Sequence, residues 1–113
     1  MIDSLKENEY FVFGSNIDGH HMAGAAKQAM DQFGAEWGVG VGLTGQCYAI
    51  PTMEGIVSLS LYVDQFIEVS TLLPTKTFLL TKIGTGIAGY SEEEIKPLFS
   101  QVPSNVILPK EWR

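Results

Sequence analysis

A single cysteine, Cys47, stands among the 113 residues, so no internal disulfide can staple this chain. Basic residues are scarce too: 7 Lys and Arg face 13 Asp and Glu, a formal net charge of −6. Proteins that hold nucleic acid ordinarily neutralise its phosphates with a basic face. No Lys/Arg cluster occurs here, and nucleic acid is not an expected partner. No apolar run approaches the roughly 20 residues of a membrane-spanning helix, and no basic-plus-apolar leader pattern opens the chain. The expectation is a reduced, cytoplasmic protein with no membrane partner. The only two histidines, His20 and His21, are adjacent. No Cys or carboxylate stands at a recognisable ligand spacing from them, and Asp18 alone does not complete a set, so neither metal nor cofactor is expected.

What is present suits a folded core. Hydrophobic residues make up 45% of the chain, and the length fits one domain over residues 1–113. Twelve glycines fall mostly in three clusters rather than in a repeat, which points to loops shaped by backbone.

Tyr10-Phe11-Val12-Phe13 is an unbroken aromatic and β-branched run, the pattern of a strand buried on both faces in a parallel sheet. Met22, Ala26, Ala29, Met30 and Phe33 then recur at helical spacing, and Gly34 fits a helix stop. Residues 34–46 read as a glycine-rich loop with one short irregular strand, turning at Thr44-Gly45. Cys47 to Ile50 form a strand that Pro51 ends. Leu59, Tyr62, Val63, Phe66, Val69 and Leu73 trace a helical stripe with Ser58 as N-cap and Pro74 as stop. Thr77 to Thr81 is a further strand. Ser91-Glu92-Glu93-Glu94 is a capping box opening a helix whose buried side is Ile95, Leu98 and Phe99. Asn105 to Leu108 make a last strand. Strands alternating with helices predict a three-layer α/β/α domain on a short, mostly parallel sheet with right-handed crossovers. In such sheets ligands sit beyond the C-terminal ends of strands. Two loops leave strands at that end.

The first runs from Gly14 to Gly24. No strong Ser, Thr, Asp or Asn cap precedes the following helix, so its first N–H groups are free for an anion. Gly24, Ala23 and Ala25 permit close approach of a ligand to the backbone; the alternative is that these small residues pack helix against sheet. Gly19 is also expected among the ligand-binding residues of this loop. The second loop is Gly84-Thr85-Gly86-Ile87-Ala88-Gly89-Tyr90. Successive N–H groups in such a turn can grip a diphosphate. It is not a Walker A loop. Its spacing matches G-x-G-x-x-G, but no acidic residue follows about 20 positions on except Glu111, which argues against a Rossmann dinucleotide site.

These residues carry a resemblance. Residues 84–91 look like the second ligand loop of macro domains, which grips the diphosphate and ribose of ADP-ribose. Ile83-Gly84-Thr85-Gly86-Ile87-Ala88 resembles the Ile-Gly-Cys-Gly-Leu-Asp loop of the deacylating macro subclass. Met22-Ala23-Gly24-Ala25-Ala26 with Phe33-Gly34 is similar to that subclass's Met-Gly-x-Gly-Ile-Ala…Phe-Gly segment. Asn16 falls where many macro domains carry a ribose-facing Asn. Phe13 to Gly19 and Tyr48 to Thr52 also resemble patterns in a family of small bacterial and phage proteins with no established activity. There are departures. Ala88 stands where the deacylating loop has its aspartate, Ala23 where another hydrolytic subclass has its first-loop acid. The Gly-Asp pair that contacts adenine in macro domains has no counterpart.

The resemblance implies a macro-domain-like fold that binds ADP-ribose or a related nucleotide diphosphate between the two loops, a small-molecule partner. Asn16 would read a ribose unless it only shapes its own turn, Gly24 and Ala25 would meet one phosphate, and residues 84–89 would wrap the other. Thr85 contacts phosphate or caps a backbone group; Tyr90 stacks on the ligand or is buried. The enzymatic alternative is weak ADP-ribosyl hydrolysis, with Asp18 or His21 replacing the missing acid. A third reading is a non-catalytic protein-interaction domain using its acidic surface and an exposed segment, Lys110 to Arg113, with the protein partner left open. Cys47 reads as a buried hydrophobe rather than a nucleophile.

Overall fold

The aromatic run at Tyr10 to Phe13 lies in β1, Glu9–Ser15, the central strand of a five-stranded sheet. A computed structural model describes residues 2–113. After β1 come α1 (Gly24–Phe33), β2 (Gly42–Thr44), β3 (Cys47–Pro51), α2 (Ile56–Leu72), β4 (Thr77–Leu80), α3 (Glu92–Ile95) and β5 (Val106–Ile107). Two 3₁₀ turns, Lys96–Phe99 and Lys110–Trp112, follow α3 and β5. The sheet order is β2-β3-β1-β4-β5, with β3, β1, β4 and β5 parallel and β2 antiparallel to β3.

Period-two alternation divides the core between the two faces of this sheet. Phe11 and Phe13 of β1, with Cys47 and Ala49 of β3, meet Ala29 and Phe33 of α1. Val12, Tyr48 and Ile50 point the other way, to Leu59, Val63 and Phe66 of α2 and to Ile95 and Phe99. Phe66 is fully buried and meets the rings of Tyr48, Phe78 and Phe99 edge-on at 5.0, 5.6 and 6.3 Å. A side chain so placed stabilises the fold by about 3 kcal/mol or more relative to alanine.

Gly34 stops α1 as its sequence position predicts, in the left-handed conformation (φ 83°) with its N–H donating to the Ala29 carbonyl. The Ser91–Glu94 capping box is complete: Glu94 N–H donates to Ser91 Oγ at 3.2 Å and Ser91 N–H to Glu94 Oε1 at 2.9 Å. Several expectations change. Helix α2 starts three residues earlier than Ser58 would set it, because the chain enters through Gly55 at φ 94° and the Gly55 carbonyl accepts from Leu59 N–H. Pro51 belongs to β3, opposite Ser15, at the strand end where its missing donor is harmless. Met22 precedes α1 and is 73% exposed instead of joining its buried stripe. The segment Lys110 to Arg113 is not a free tail. Trp112 is buried, its indole 6.2 Å from the Phe99 ring and its Nε1–H donating to Glu92 Oε1 at 2.6 Å.

Among the described residues, no helix is long and apolar enough to cross a membrane.

Candidate functional site

After β1 the chain passes to α1 on one face of the sheet; after the neighbouring β3 and β4 it passes to α2 and α3 on the other. Adjacent parallel strands whose continuations diverge open a crevice at their C-terminal ends. A cleft of about 640 Å³ lies there, within the span of small-ligand sites. Its floor is where β1, β3 and β4 end together: a Cβ on Gly14 would stand 3.2 Å from Thr52 Cγ2 and 3.6 Å from the Gly84 nitrogen.

Hydroxyl groups at this floor are already engaged. Thr52 Oγ1 donates to the Ser15 carbonyl at 3.3 Å and Thr81 Oγ1 to the Val12 carbonyl at 2.8 Å. Ser15 Oγ donates to the Gly40 carbonyl, and Thr85 Oγ1 donates at 2.9 Å to that of Lys82. The free donors are backbone. Ala23 caps α1 without a side-chain hydrogen bond, and the N–H groups of residues 23–26 have no acceptor among the described residues. Those of residues 84–88 likewise donate to none. Two sets of N–H groups, one on a ten-residue helix terminus and one on a loop, therefore border one cleft. Such donors favour an anion.

The charge of the lining agrees. Of 13 acidic side chains in the protein, none lines the cleft, whereas His20 and Lys82 do. Lys82 Nζ is paired with Glu111 at 3.2 Å and Glu92 at 3.3 Å. The hydrogen bond to Glu111, seconded by that to Glu92, raises the ammonium pKa above its ordinary value.

The residues singled out in the sequence divide between two places. Asn16, Gly24, Ala25 and the run 84–88 line the cleft; Asp18, Gly19, His21, Gly89 and Tyr90 do not. Gly19 (φ 70°) is buried where a Cβ would overlap the backbone of Gly38 and Val39, so its role is close packing of segment 36–40. His21 is buried beneath loop one: its ring is edge-on to Phe13 at 5.2 Å, and Nε2 lies 3.0 Å from the Glu36 carbonyl. Asp18 is exposed away from the cleft. Tyr90 packs against the core as a half-buried ring, with its N–H on the Gly84 carbonyl. Asn16 closes its own turn through both ends of its amide: Oδ1 accepts from His20 N–H at 2.9 Å and Nδ2 donates to the His20 carbonyl at 3.0 Å.

His20, rather than His21, reaches the cleft, its imidazole stacked on Trp37 with centroids 4.9 Å apart and planes 10° apart. Neighbouring residues in an irregular loop have no fixed facing, so the sequence held no signal to choose between them. Lys82 and Met53 line the cleft as well and were legible only as loop residues; Met22, which its spacing assigned to the helical stripe, lines it too. Cys47 is wholly buried, and burial pushes its thiol up to about 12, which removes thiolate chemistry at neutral pH. No three His, Cys, Asp or Glu among the described residues are grouped to hold a metal ion.

Comparison with protein-family models, curated proteins and solved structures yields no match to this chain.

Proposed function

We propose that the cleft binds ADP-ribose or a related nucleotide diphosphate, in a three-layer α/β/α arrangement of the macro-domain type. The observation that carries this reading is the convergence of two unsatisfied N–H sets, residues 23–26 and 84–88, in a cleft that an acidic protein keeps free of carboxylates. A diphosphate places two anionic groups a few ångströms apart and matches two donor sets better than a single anion does. Asn16, its amide already committed to His20, retains an acceptor lone pair and one N–H for a ribose hydroxyl. Met22, Met53 and Ile87 are exposed on the lining and offer apolar contact to the rest of a nucleotide.

Binding is favoured over hydrolysis because neither Asp18 nor His21 lines the cleft. The interaction-domain reading keeps exposed Lys110, Glu111 and Arg113 but loses the aromatic residue between them, since Trp112 is core.

Calorimetric titration with ADP-ribose, with AMP and ribose 5-phosphate as controls, tests the reading. The expected result is a micromolar Kd, about −8 kcal/mol, with weaker binding of both fragments. No heat and no thermal shift at millimolar ADP-ribose would contradict it.

A further inference from the structure

Among the described residues, Lys82 is the one permanent cation on the cleft lining, and it is tied elsewhere. Its two carboxylate partners are not equivalent. Glu92 also accepts the buried Trp112 indole N–H at 2.6 Å and opens α3, so it is fixed independently of Lys82. Glu111 lies as near, at 3.2 Å, but has fewer other ties: its side chain is 63% exposed, it sits on the C-terminal turn, and Lys82 is its only ion-pair partner among the described residues. An exposed ion pair of this kind is weak. A lysine ammonium on a flexible four-carbon stem exchanges one oxygen partner for another at little cost in geometry. Phosphoryl oxygens are strong acceptors for it, and a cleft with neutral walls screens the new pair less than open solvent does.

We propose that Lys82 is the charged anchor of the cleft, reached by exchange: a phosphoryl group of the bound ligand replaces Glu111 as the partner of Lys82 Nζ. Glu111 is thereby a built-in competitor, and removing its charge should tighten binding while removing Lys82 should weaken it. The proposal rests on the reading of the cleft as an anion site, but its mechanism does not require a nucleoside.

A double-mutant cycle on the full chain separates the two. Kd is measured by calorimetry for ADP-ribose and for inorganic pyrophosphate with the wild type, Glu111→Gln, Lys82→Met and the double variant. Glu111→Gln is expected to lower Kd about threefold, the size of one exposed ion pair. Lys82→Met is expected to raise it about tenfold, as loss of a charged hydrogen bond does, and Glu111→Gln should have no effect in the Lys82→Met background. Equal tightening with and without Lys82 would show a general charge effect and overturn the exchange. Unchanged Kd in Glu111→Gln would overturn it as well. If ADP-ribose binds while the cycle shows no coupling, the exchange falls and the ligand reading stands. If pyrophosphate alone binds and the cycle shows coupling, the exchange stands and the nucleotide reading falls. If neither probe binds the wild type, both fall.

Discussion

The two loops that border the cleft are built on opposite plans. Loop one, between β1 and α1, is braced from behind. Asn16 holds His20 through two hydrogen bonds, Gly38 N–H donates to the Gly19 carbonyl at 2.9 Å, Ser15 Oγ donates to Gly40, and His21 reaches Glu36. Its polar groups are committed to the glycine-rich segment that follows α1, which makes that segment an ordered wall. Loop two, between β4 and α3, has almost no such bracing. Five successive N–H groups have no acceptor among the described residues, Ile87 is 88% exposed, and a Cβ on Gly86 would meet none of those residues within 4 Å. The contrast separates two uses of glycine and small residues. In loop one they allow backbone to approach backbone, and in loop two they leave backbone donors bare. A braced wall behind one helix terminus and an open turn of donors are the two halves that the proposed anion site requires.

Four substitutions probe the difference between the two loops. Gly19→Ala should have the largest effect, because it combines a positive φ with overlap of the Gly38–Val39 backbone. A loss of about 3 kcal/mol or more in stability is expected by denaturant titration. Gly86→Val should do the reverse. Stability should stay within about 0.5 kcal/mol, while ADP-ribose affinity falls at least about tenfold, or about 1.4 kcal/mol, as the side chain covers the donors. A Gly86→Val protein that unfolds easily, or binds normally, would erase the distinction between the loops. Asn16→Ala removes two hydrogen bonds that brace His20 and should lower stability by about 1.5 kcal/mol, read as a shifted denaturation midpoint with unchanged m-value. Ser91→Ala, just beyond loop two, should cost about 1 kcal/mol through the lost cap. Its fraying, followed by amide exchange, should be confined to α3 and leave residues 14–24 protected.

Much of the fold was legible because it follows local rules. The β1 run, the Gly34 stop, the turn before Cys47 and the Ser91 capping box are each determined within a few residues, and alternation of strands and helices implied the mainly parallel sheet. What escaped depends on contacts distant in sequence. That Gly19 is a packing position shows only when residues 38–39 lie against it. Trp112 is next to the last residue of the chain, yet Phe99 and Glu92 draw it into the core. His21 is held under the loop by Phe13 and Glu36, whereas His20 stands on the cleft beside Trp37. Of the cleft residues that sequence did indicate, Asn16 and 84–88 lie in loops that leave strand ends, and Gly24 and Ala25 open the helix that follows β1, all on the side of the sheet where topology places a crevice.

The proposed site is tested most directly by a two-dimensional ¹⁵N–¹H spectrum of the labelled protein as ADP-ribose is added. The largest amide shifts are expected at residues 23–26 and 84–88 together, with one shared binding curve. Shifts absent from 84–88 at millimolar ligand, or centred on the exposed Val57 and Leu61 side of α2, would contradict it.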